Sequence, residues 1–117
     1  MRIDFPVRLL PLALCTCLFH SILQAQDTVG VQVSSLTSAE RDAVLAGVRA
    51  NGQLNVVYTC VPAGIMVFTA EHGSASREAL RTSATNALTA VVAAQRINGM
   101  EITLHVAQAA CELTRGQ

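Results

Sequence analysis

The chain has 117 residues, its formal net charge is zero, and only 14% of its residues are charged. That length fits one small domain. Every basic residue is an arginine and the arginines are scattered, so the clustered basic surface needed for nucleic acid is absent and no nucleic-acid partner is expected.

The first stretch reads as an export signal. Arg2 and Arg8 flank the start, positions 9–23 are apolar apart from Thr16, His20 and Ser21, and the small residue Ala25 follows. A basic start, a short apolar run and a small residue are the plan of a secretory signal peptide cleaved after Ala25. The run of about 15 residues is shorter than a bilayer-spanning helix needs, and Pro11 and His20 interrupt it, so no transmembrane segment is expected after removal. Cys15 and Cys17 lie in this leader, but Leu14 and Thr16 stand where a lipid-attachment signal carries small residues. The expected location is exported, periplasmic or secreted. The expected division is a signal peptide over 1–25, one domain over 28–111 and a tail over 112–117.

Two cysteines remain after cleavage, Cys60 and Cys111. An even count in a small exported domain points to a disulfide. The bond would close a loop of about 50 residues and contribute about 3–4 kcal/mol. The other reading is a pair of buried, unbonded thiols.

In chain order, Val29, Val31 and Val33 alternate with Gly30 and Gln32, which predicts a half-buried strand over 27–34. Thr37 followed by Glu40 fits a capping box, so a helix is predicted over 38–50, with Val44, Leu45 and Val48 as its apolar stripe and Asn51-Gly52 as its stop. Two β-branched runs around Pro62-Ala63-Gly64 predict a hairpin, with Leu54, Val56, Tyr58 and Cys60 on one face of its first strand. Ser74 or Ser76 caps a second helix carrying Leu80, Ala84, Ala87, Leu88 and Val91, which Asn98-Gly99 stops. Met100, Ile102, Leu104 and Val106 then alternate with Glu101, Thr103 and His105, predicting a last strand. The order β-α-β-β-α-β is that of an α+β, ferredoxin-like sandwich: a four-stranded antiparallel sheet with two helices on one face. In the usual strand order of that fold, the strands leading to Cys60 and Cys111 lie at opposite edges, so 107–110 would have to cross beneath the sheet for the two sulfurs to meet.

The stretch Ser35-Leu36-Thr37-Ser38-Ala39-Glu40-Arg41, placed after a strand and opening a helix, resembles the metal loop of the heavy-metal-associated domain of copper chaperones and metal-pumping ATPases. That family carries Gly-Met-Thr-Cys-x-x-Cys there. Leu36 stands at the family's buried Met, Thr37 matches, and the two thiolate positions fall on Ser38 and Arg41. The resemblance covers about residues 28–106 and implies the ferredoxin-like fold. It does not bring metal binding with it, because soft Cu(I) needs thiolate or thioether ligands and Arg41 is a fixed cation.

The remaining chemistry is sparse. His72 beside Glu71 and His105 on the predicted last strand are weak metal candidates, since zinc wants three or four protein ligands. After the leader no C-x-x-C occurs, and Cys60 has no basic neighbour in sequence to activate it. No nucleophile-elbow or phosphate-cradling glycine pattern is present. The expected function is that of a non-catalytic exported binding or accessory domain. It would have no cofactor and would meet an envelope protein through the open sheet face or a sheet edge. The alternative is a metal-handling or thiol-redox domain using Cys60 and Cys111 with a histidine.

Overall fold

The computed structural model describes residues 27–71, 76–99 and 101–116. Strand β1 spans Thr28–Gln32, helix α1 Ser38–Asn51, β2 Leu54–Cys60, β3 Ile65–Ala70, α2 Arg77–Thr89 and α3 Leu104–Arg115, with a short 3-10 turn at Ala94–Arg96 before α3. The three strands form one antiparallel sheet in the order β1-β3-β2.

The elements form where local chemistry dictates. The Thr37 hydroxyl accepts the Glu40 N–H, and the Glu40 carboxylate accepts the Thr37 N–H, both at 3.1 Å, so the capping box starts α1. Gly52 ends that helix, donating its N–H to the Val48 carbonyl. The Ser76 hydroxyl accepts the Ala79 N–H and starts α2. The hairpin turns over 61–64, and Gly64 sits there at φ 69°, against the Val33 carbonyl, where any Cβ would collide.

Helices α1 and α2 cover one face of the sheet. Val44 and Val48 from α1 and Leu80, Ala84 and Leu88 from α2 pack on Val29, Val31, Val33, Met66 and Phe68. Phe68 and Met66 are fully buried, and burying side chains of this size contributes about 1.5–3 kcal/mol each. A smaller second cluster lies on the opposite face. There α3 sets Ala107 beside Ile65, Val67 and Ile102, with Tyr58, Ala63 and Ala110 at its margin. Central strand β3 is therefore buried on both faces.

The expected four-stranded, two-helix ferredoxin-like sheet is overturned. The segment after α2 does run along β1, but it touches β1 only through isolated bridges, Val33 with Ile97 and Gly30 with Ile102. At Thr103 the chain becomes helical, and the Thr103 hydroxyl accepts the Val106 N–H as the cap of α3. The alternation over 100–106 overlaps a second pattern. Leu104, Ala107, Cys111 and Thr114 recur at helical spacing, within a run rich in strong helix formers. That longer pattern decides the outcome. His105, Thr103 and Glu101 consequently do not line an open sheet face, because α3 covers it.

Helix α2 also ends earlier than expected, at Thr89 and not at Asn98-Gly99. The chain turns there so that Val92 can enter the first core cluster.

The face shared by Leu54, Val56, Tyr58 and Cys60 is also corrected. Val56 pairs with Phe68 but Tyr58 pairs with Val67, so β2 carries a bulge at Val57. One extra residue inverts the side-chain alternation beyond it. Leu54 and Val56 face the α1–α2 core, whereas Tyr58 and Cys60 face α3.

Candidate functional site

The bulge places Cys60, last residue of β2, beneath the third turn of α3, and there it is bonded to Cys111. The two Cα atoms are 6.0 Å apart and both residues are buried. Because α3 crosses the second face, the sulfurs meet without spanning the width of the sheet. The crossing over 107–110 is an ordered part of that helix, which continues past Cys111 to Arg115.

The loop between β1 and α1 is held by an arginine from a distant segment. Ser38 is exposed as the first residue of α1, and the Arg41 guanidinium donates to the Asp42 carboxylate at 3.0 Å. Leu36 is buried under the loop. Arg96 reaches in from the 3-10 turn. It donates from Nε to the Ser34 carbonyl at 3.0 Å and from Nη2 to the Ser35 carbonyl at 2.9 Å. It also forms a bidentate fork onto Glu40, with both bonds at 2.8 Å. The Ser34 N–H returns a bond to the Arg96 carbonyl. An internal cation thus neutralises Glu40 and satisfies two loop carbonyls, one of them on Ser35, which is held in the left-handed region at φ 58°. The Arg96 hydrogen bond, followed by the Thr37 N–H, pulls the Glu40 carboxyl from 4.5 down to about 2. Glu40 in turn raises the Arg96 guanidinium above its ordinary value.

His105 is exposed in the first turn of α3. Ala25 and His72 lie outside the described residues. No group of three or more His, Cys, Asp or Glu side chains converges among the described residues. A cleft of about 370 Å³ between α1 and α2 is lined by Asn51, Gln53, Ser83 and Asn86 among small apolar residues. A second, of about 430 Å³, lies beside the 34–36 loop. Neither is lined by a titratable side chain, so neither offers an acid–base pair.

The two sheet edges differ. The outer edge of β1 is occupied by Ile97, Asn98 and Ile102. The bridges are made by backbone bonds: the Asn98 N–H donates to the Gln32 carbonyl at 2.9 Å and the Ile102 N–H to the Gly30 carbonyl at 3.2 Å. At Gly30 an added Cβ would collide with the Ile102 carbonyl. The outer edge of β2 has no pairing strand among the described residues. No charged residue occurs from Ala50 to Ala70, and Val57 at the bulge is 45% exposed. Natural edges are usually blunted by charge, proline, bulges or cover, and here the bulge alone does so. The uncharged run was readable in the sequence. Arg96 was not, because it acts across 56 residues and no local pattern marks it.

No described helix is long and apolar enough to cross a membrane. No family model matches the chain, and no curated protein or solved structure matches it.

Proposed function

We propose that this chain is exported, loses residues 1–25, and works in an oxidising envelope or extracellular compartment as a non-catalytic binding domain. Its partner contributes an extended segment that pairs with the free edge of β2. The observation that carries this reading is the contrast between the two edges: β1 is closed by Ile97, Asn98 and Ile102, while β2 is uncharged, unpaired on its outer edge among the described residues and marked by exposed Val57. Strand addition uses such a row of unpaired backbone groups for affinity. The disulfide supports the compartment, since such bonds persist where the surroundings are oxidising. Metal handling through Cys60 and Cys111 would need both thiolates, and the bond between them uses both sulfurs.

The test is site-specific photo-crosslinking in the producing cell, with a probe at Asn55 or Val57 and a control probe at Ala46 on the exposed side of α1. A discrete envelope-protein adduct from the β2 positions, weakened by Val57→Pro, is expected. A monomeric protein with no adduct, or with the same adducts from Ala46, rejects the reading.

A further inference from the structure

We propose that α3 is a cover held on the sheet by the Cys60–Cys111 bond, and that reduction by a dithiol releases it while the rest of the domain stays folded. This stands whether or not β2 takes a partner strand.

The seat of α3 is shallow. Its two buried side chains are Ala107 and Cys111. The first core cluster is instead filled from α1 and α2 by Val44, Val48, Leu80 and Leu88. Of the larger apolar side chains of α3, Leu104 is half-buried, while Val106 and Leu113 point away from the sheet, 52% and 74% exposed. From Leu104 onward, the side-chain hydrogen bonds that α3 makes among the described residues stay within it and its cap, as when the Thr114 hydroxyl donates to the Ala110 carbonyl. A helix of 12 residues is marginal on its own. Alanine methyls and one covalent bond therefore hold it over Tyr58, Ile65 and Val67.

The chemistry is thiol–disulfide exchange. A thiolate of the dithiol attacks one sulfur of the bond, forming a mixed disulfide and releasing the other cysteine as thiolate. The second thiol of the reagent displaces the remaining cysteine. The reagent ends as a disulfide and Cys60 and Cys111 as thiols, with two electrons and two protons transferred. Because both cysteines are buried, attack follows local opening of the last turns of α3.

The test is hydrogen exchange on the purified protein before and after dithiothreitol, with thiol alkylation to confirm reduction. Amide protection in α3 is expected to fall by about a hundredfold, the size of a typical disulfide contribution, while β3 and α1 keep theirs; reoxidation restores α3. A Cys60→Ala, Cys111→Ala double variant is expected to show the reduced pattern without reagent. Unchanged protection of α3 after reduction, or in the double variant, means that packing alone seats the helix and overturns the proposal. Loss of protection in β3 together with α3, or a double variant that does not fold, shows that the bond guards the whole domain and overturns it equally.

Discussion

Arg96 grips Glu40 through two hydrogen bonds of 2.8 Å, joining the turn before α3 to the first turn of α1. The same guanidinium carries the Ser34 and Ser35 carbonyls, so one side chain fixes the loop from β1 into α1. Arg96→Leu is expected to lower the thermal midpoint at neutral pH. It should also raise the Glu40 carboxyl, though not fully to 4.5, because the Thr37 N–H still bonds it. The sign of the pH effect follows from the depressed value. Glu40 contributes its full stabilisation above the unfolded pKa and loses it as pH falls through about 2. The difference between wild type and variant should therefore shrink over that acid range. A difference that stays constant down to about pH 2 would assign the effect to packing and not to charge.

Gly30 lies where the returning chain crosses β1, and an added Cβ would meet the Ile102 carbonyl and side chain. Gly30→Ala should cost about 1–3 kcal/mol, the usual range for forced overpacking. Urea unfolding measures this, and amide exchange at Ile102, which donates to the Gly30 carbonyl, should accelerate.

Deletion of Val57 removes the bulge. In the shortened strand Tyr58 follows Val56 directly and keeps its pairing with Val67, so regular alternation leaves Tyr58 and Cys60 facing α3. Thiol labelling without reductant should find the Cys60–Cys111 bond intact in the deletion variant. Two free cysteines in that variant would mean that the register beyond Val57 is not held by the pairing with β3.

The two leucines Leu80 and Leu113 separate core from surface. Leu80 is 2% exposed and Leu113 74%. Leu80→Ala should cost about 2–5 kcal/mol, and Leu113→Ala should stay within about 0.5 kcal/mol, both read by chemical denaturation.

What the sequence made legible was local. The Thr37–Glu40 box, the Val29-Val31-Val33 alternation, the Leu80-Ala84-Leu88 stripe and the Pro62–Gly64 turn each encode their element within a few residues, and each forms. The failures were non-local or ambiguous. The run over 100–106 satisfies a strand period and, with Ala107, Cys111 and Thr114, a helix period, and the longer helical pattern prevails. The bulge at Val57 has no residue signature, yet it inverts the facing of Tyr58 and Cys60. Arg96, which bonds the Ser34 and Ser35 carbonyls and Glu40, lies beyond α2 in sequence, where no local pattern marks it.

Helix α3 is stapled across the second sheet face by the Cys60–Cys111 bond, and among the described residues β2 is left as the unpaired edge. Peptide mapping of the exported protein by mass spectrometry, with thiol alkylation before any reductant, tests this most directly. The predicted result is a single cross-linked peptide pair containing Cys60 and Cys111, with no alkylated cysteine until reductant is added. Two freely alkylated thiols on the folded, exported protein would contradict it.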